Sequence, residues 1–249
     1  MSVKRDKLIA FCDEYLKVAD FEDKCFNGLQ VEGKEDVAKI VTGVSLSKKL
    51  IEEALKLQAD MIMVHHGFFS SEFPAPLHLT GYRRNRLKMI LANDLNVAGY
   101  HLPLDAHPVI GDNISLCKKF GVKKTRPFSV GFIGELDREI DFERFRTLVE
   151  KQLCTQSFAM AGGKKKVKKV AVISGGDSPD LEPAALAGAD VFVTGDVRED
   201  TVRRIEEVGI GFINAGHYNT EKEGIRNLGE LVAKKFKIEA KFVDVPNDI

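Results

Sequence analysis

Short apolar runs alternate with amphipathic stretches along this chain, the pattern of βα units packed around a largely parallel sheet. Residues 39–46 (KIVTGVSL) predict a strand. Ser47 fits the N-cap of a following helix whose apolar face carries Leu50, Ile51, Ala54, Leu55 and Leu57. Residues 60–64 (DMIMV) predict a buried strand that runs straight into His65-His66. A helix over 84–95 comes next, then a strand over 97–102 leading to Pro103 and Asp105. A short helix over 113–120 stops at Gly121.

The middle of the chain reads differently. Residues 129–136 (SVGFIGEL) predict a strand and 141–153 a helix with an acidic start, and Gly162-Gly163 with the lysine run after it reads as a solvated linker. The βα rhythm then resumes, with strands over 167–173, 189–193 and 210–214 and a closing helix over 220–236. Thr220 and Glu223 have the spacing of a capping box, and Ile225, Leu228, Leu231 and Val232 form the apolar stripe of that helix.

Two stretches look alike. QADMIMVHH (58–66) aligns with GADVFVTGD (188–196), and NVAGYHLPLD (96–105) aligns with the later part of GIGFINAGHYNTE (209–221). Both carry His-x-x-x-carboxylate, His101 to Asp105 and His217 to Glu221. The shared spacing favours an internal duplication over the general similarity of βα units. The fold class is therefore α/β, with two duplicated βα-rich lobes on mixed or parallel sheets. The first lobe is placed over 1–125 with an N-terminal helix, the second over 126–249.

Composition narrows the classes of function. Apolar residues at 44% and charged residues at 30% describe a chain that folds around a core. Thirty-seven cationic and 37 anionic side chains cancel, whereas a dedicated nucleic-acid binder shows a basic excess. The charged first seven residues lack the apolar run of a signal peptide. No segment reaches the roughly 18 uninterrupted apolar residues of a membrane helix, so a cytoplasmic protein is expected. Cys12, Cys25, Cys117 and Cys154 form no C-x-x-C pair. They read as reduced thiols and argue against a thiolate zinc site or an iron–sulfur centre.

Of six histidines, His65, His66, His101 and His217 fall at or just past predicted strand ends, the edge where ligands bind in open α/β sheets. Imidazoles with carboxylates suit zinc, manganese, iron or cobalt. Gly67 breaks the strand after His65-His66 and lets both rings turn to one pocket. A continuing strand would send them to opposite faces, one buried and one exposed. Asp105 follows the strand-ending Pro103, where it can bridge two cations or cap the next turn. Glu221 stands near the start of the closing helix, as a ligand or as a simple complement to the helix dipole. His101 is a ligand or a partner to one, and His78 and His107 read as surface residues. Gly175-Gly176-Asp177 lacks the spacing of a phosphate-binding glycine motif and reads as a turn, as does Asn27-Gly28-Leu29-Gln30.

NGLQVEG (27–33), VHHGFF (64–69), GYHLPLDAHP (99–108), SGGD (174–177) and AGHYNTE (215–221) together resemble the Ngg-interacting-factor-three family. Its bacterial members are known as GTP cyclohydrolase I type 2 homologues, and the motifs stand in family order along nearly the whole chain. The resemblance implies a duplicated α/β fold, a toroidal homohexamer and a dinuclear site. Two divalent metal ions per chain (zinc, manganese, iron or cobalt) would be held by His65, His66, Asp105, His217 and Glu221. His101 lies beside these as the candidate catalytic residue. The chain is too short for the central domain that longer members carry. The implied function is a metal-dependent hydrolase acting on a small anionic substrate, a nucleotide or phosphoester, through a metal-activated water. The alternative is a non-enzymatic metal-binding ring with a protein or nucleic-acid partner, and zero net charge disfavours the nucleic acid.

Overall fold

The computed structural model describes residues 1–73 and 78–247. They form two compact units: Met1–Leu104 with Gly224–Val245, and Asp105–Glu223 with the chain end from Pro246. Relative to lobes over 1–125 and 126–249, residues 105–125 pack with the second unit and 224–245 with the first.

The chain begins with β1 (Val3–Lys4), α1 (Arg5–Leu16), β2 (Gly28–Val31), β3 (Asp36–Val37), β4 (Lys39–Ser45) and α2 (Lys48–Lys56). It continues through β5 (Met61–His66), α3 (Gly81–Ala92), β6 (Asn96–Gly99), α4 (Leu102–Asp105), α5 (Asp112–Lys119) and β7 (Lys123–Phe128). Next come β8 (Gly131–Asp141), α6 (Phe142–Leu153), β9 (Phe158–Met160), β10 (Lys166–Val172), α7 (Leu181–Leu186) and β11 (Val191–Thr194). The last elements are α8 (Glu199–Val208), β12 (Gly211–Asn214), α9 (His217–Thr220), α10 (Lys222–Phe236) and β13 (Glu239–Phe242).

In the first unit the main sheet has the order β13-β4-β5-β6-β2, parallel except for the edge strand β2. In the second the order is β7-β8-β10-β11-β12-β9, a parallel core of β10, β11 and β12 with antiparallel strands on both sides. A parallel strand covered on both faces has no solvent side, so its sequence is a continuous apolar run. This is why MIMV in β5 and VFVT in β11 are buried at every position. Alternate residues of the second sheet feed different cores. Val170, Val172, Val191 and Val193 pack with Phe145 and Val149, while Ala171, Phe192 and Phe212 pack with Leu181 and Ile205. Ser47 caps α2 as the sequence predicts, its hydroxyl accepting from the Leu50 N–H at 3.2 Å.

The duplication is visible in topology. The series α1-β2-β4-α2-β5-α3-β6-α4-α5-β7 has its counterpart in α6-β9-β10-α7-β11-α8-β12-α9-α10-β13. Local bonding repeats as well. The Asp60 carboxylate accepts from the Ala38 and Lys39 N–H groups and from Lys34 Nζ; the Asp190 carboxylate accepts from the Lys168 and Lys169 N–H groups and from Lys164 Nζ. Gln58 and Gly188, aligned two residues earlier, both adopt left-handed backbone with φ of 55° and 81°. The final helix and strand of each series belong to the other unit: β7 joins the second sheet and β13 the first.

Several local expectations need correction. The ladder pairs the Tyr100 N–H with the Val64 carbonyl and the Ala215 N–H with the Thr194 carbonyl. His217 therefore corresponds to Leu102, and His101 to Gly216, one residue away from the alignment by His-to-carboxylate spacing. Thr220 and Glu223 form no capping box. Thr220 ends the separate helical turn α9, and its hydroxyl accepts from the Gly175 N–H at 3.0 Å and lies 2.9 Å from the His217 carbonyl. The glycine–lysine segment is a tight turn between two strands of one sheet. Gly162 has φ of 53°, with the Ile210 carbonyl where a Cβ would be, and Lys169 Nζ reaches the Ala187 carbonyl at 2.8 Å. Strand β7, rich in lysine and arginine, carries no apolar alternation and was not anticipated.

Candidate metal-binding residues

In the first unit β5 runs through both His65 and His66, yet their rings stay together, with centroids 4.6 Å apart. Gln30 explains the turn that follows. Its Oε1 accepts from the Phe68 N–H at 2.8 Å, and its amide fills the space where a Gly67 side chain would be. His101, just past β6, brings a third ring 5.0 Å from His65 and 5.5 Å from His66. One ligating atom from each of the three lies within 4.8 Å of the others.

The Nδ1 atoms of the trio are all engaged. His65 Nδ1 is 3.0 Å from the Tyr100 carbonyl, His66 Nδ1 is 3.0 Å from Ser45 Oγ, and His101 Nδ1 is 2.9 Å from Asp23 Oδ1. A carbonyl and a carboxylate only accept, so His65 and His101 carry hydrogen on Nδ1 and their lone pairs on Nε2. Metal-binding histidines show this pattern, the second nitrogen donating to a carbonyl or carboxylate that fixes the ring. Asp23 is itself buried. Burial alone would raise its pKa, but hydrogen bonds from His101, the Cys25 N–H and Asn27 outweigh this and hold it well below the usual carboxylate range.

The second unit gathers a different set. Asp105 is buried and accepts from Ser174 Oγ at 2.8 Å, and Asn113 joins the same turn by accepting from the Ser174 N–H. His217 Nε2 lies 3.2 Å from Glu221 Oε1, with Glu221 buried just before α10. The SGGD loop is moulded to this pair. Gly175 has φ of 67°, and a Cβ there would overlap Glu221 Oε1 and stand 3.3 Å from His217 Nε2. Gly195, at the end of β11, is closed in the same way by Thr220 and the His217 backbone. Burial, together with Asp180, Asp196 and Asp105, pushes the Asp177 carboxyl up to about 6, against the pull of Arg198. Negative charge is crowded here, which a bound cation would relieve.

Residues 3–248 match the family described as Duf34/NIF3 (NGG1p interacting factor 3). The chain belongs to the Duf34/NIF3 family. It is 40% identical over 250 residues to a GTP cyclohydrolase 1 type 2 homolog of Escherichia coli K12, covering 98% of this chain and 99% of that one. A protein of the same name from Pseudomonas aeruginosa is 37% identical, with 99% of both chains covered. Among solved structures, protein ybgI superposes with a TM-score of 0.93 at 39% identity, covering 99% of this chain and 100% of the other. The Thermus thermophilus protein TTHA1606 superposes with a TM-score of 0.91 at 29% identity, again over 99% and 100% of the two chains.

The stretches whose sequence resembles the family carry the residues just described. VHHGFF supplies two rings of the trio, GYHLPLDAHP the third ring and Asp105, and AGHYNTE supplies His217 and Glu221. Asn27-Gly28-Leu29-Gln30, read from sequence as a turn, instead opens strand β2, and with the SGGD turn it supplies the supports: Asn27 and Gln30 for the trio, Ser174 and Gly175 for the second set. The donors are imidazole and carboxylate, which suit a divalent metal, and His65, His66 and His101 of the first unit lie close enough together to hold one. His107 Nδ1 accepts from the Val109 N–H at 3.2 Å, and His78 is exposed. None of the four cysteines is in a disulfide, and no helix among the described residues is long and apolar enough to cross a membrane. Asp23 carried no sequence signal, since it lies 78 residues from the ring it holds.

Proposed function

We propose that this Duf34/NIF3 chain is a dinuclear metal-dependent hydrolase. His65, His66, Asp105, His217 and Glu221 ligate two divalent ions, and His101 carries protons to and from the substrate. The observation that supports this most is the Nδ1 anchoring of the imidazoles by a carbonyl, a hydroxyl and a carboxylate. Divalent ions held by these residues would supply Lewis acidity to a phosphoryl or purine-ring substrate and lower the pKa of water towards neutrality.

The chain's own groups do the rest. His65 and His66, held at Nδ1, present nitrogen donors without the entropic cost of ordering free side chains. Ser174 donates to Asp105 Oδ1 and fixes the direction of that carboxylate. Of the three rings of the first unit, His101 is the one whose Nδ1 faces a carboxylate, which suits it to a proton-carrying role. The name borne by the relatives makes GTP the first substrate to try, with other nucleotides and simple phosphoesters beside it. The assembly is proposed to be a homohexameric ring.

One preparation tests the reading. Elemental analysis should find about two divalent ions per chain, light scattering a mass near six times 27.6 kDa, and a nucleotide and phosphoester panel metal-dependent hydrolysis. Asp105→Ala and Glu221→Ala should each lose at least one ion and the activity. Full metal occupancy in both variants would sink the ligand assignment. An inactive wild type with both ions bound would instead favour a metal-holding ring that binds a partner.

A further inference from the structure

We propose that Asp23 is a positioning residue that acts through His101, fixing the tautomer and the direction of its ring. The inference rests on the proton-carrying role proposed for His101 and adds to it a residue from the loop before β2.

The geometry is unusually constrained. Both carboxylate oxygens face His101 Nδ1, at 2.9 and 3.1 Å. Oδ1 also accepts from the Cys25 N–H at 3.0 Å, and Oδ2 from Asn27 Nδ2 and the Leu102 N–H, each at 3.0 Å. The side chain is only 2% exposed, so water does not compete for these positions. Four donors on two oxygens leave the carboxylate no freedom to rotate. Asn27 closes the arrangement from the other side, its Oδ1 accepting from the His101 N–H at 2.8 Å. Loop 23–27 therefore grips both the backbone and the ring of His101, and the Phe69 ring stands edge-on at 5.3 Å.

An imidazole carries protons well only if its basic nitrogen points where the proton is needed. An unheld ring divides its population between two tautomers and several rotamers. Asp23 removes that choice, since a carboxylate accepts only and so keeps hydrogen on Nδ1 and the lone pair on Nε2. A plain structural role for Asp23, tying Cys25 to Leu102, would not need the ring at all.

The two roles separate by experiment. Ring-nitrogen NMR on metal-free protein, with the imidazole neutral, should show wild-type His101 protonated at Nδ1. Asp23→Asn should give mixed tautomers, because its amide can also donate. In turnover, Asp23→Asn should lower kcat by about 10²-fold or more with little change in KM, and Asp23→Asn with His101→Gln should be no slower than His101→Gln alone. A wild-type His101 protonated at Nε2 would overturn the proposal without any variant, as would a double variant that loses the product of the two single effects. If wild-type protein hydrolyses nothing, the function proposed above falls while the tautomer measurement still decides whether Asp23 sets the ring.

Discussion

The imidazoles of the first unit are held by three kinds of group: His65 by a carbonyl, His66 by a hydroxyl and His101 by a carboxylate. The second unit relies on the absence of a side chain instead. Gly175 brings its loop against Glu221 and His217, which no larger residue permits. Gly175→Ala should therefore cost about 1–2 kcal/mol from left-handed backbone alone. Because the new methyl displaces Glu221, it should also strip metal from the second set. Thermal unfolding and elemental analysis check this, and unchanged metal content would show that Glu221 does not depend on the glycine. At this scale the histidines and carboxylates were legible in the sequence because their chemistry is carried by residue type. Their supports, Asp23, Ser45 and Tyr100, were not, since a serine or a backbone carbonyl has no signature until the chain brings it close.

Among elements, the repeated device is an aspartate that opens a strand and ties down the start of its neighbour. Asp60 does this for β4 and Asp190 for β10. Burial would raise the Asp60 carboxyl, but Lys34 and the Ala38 and Lys39 N–H groups outweigh it and set it below the usual value near 4. A carboxylate with a lowered folded-state pKa stabilises the fold above the unfolded pKa. That contribution disappears as pH falls through the lower folded-state value. Asp60→Asn should therefore be less stable at pH 7 and lose less between about pH 5 and pH 2 than the wild type. Denaturant titrations across that range test it, and parallel pH profiles for the two proteins would refute it. The aspartates stand at matching places in QADMIMVHH and GADVFVTGD, so the repeat was readable here. The one-residue offset between His101 and His217 was not, because ladder register depends on how β6 and β12 pair with β5 and β11.

For the whole molecule, the exchange of terminal elements matters most. Residues 1–125 lack β13, the parallel neighbour of β4, and lack α10, whose Ile225, Leu228 and Val232 are buried. The same fragment would cut β7 after Thr125 and lack its partner β8. Expressed alone, 1–125 should show no cooperative unfolding transition, whereas the full chain should. A cooperative melt of the fragment with native-like circular dichroism would contradict the exchange. The α/β class, most strands and helices, the repeat, and the histidines and carboxylates at strand ends can be read along the chain. Those features are set by residues close together in the chain, through periodicity, capping and side-chain chemistry. Which helix and strand complete which unit, the register that separates His101 from His217, and the carboxylate that holds His101 depend on packing. Each of these joins residues tens of positions apart, and local sequence gives many distant partners nearly equal claim until one packing excludes the rest.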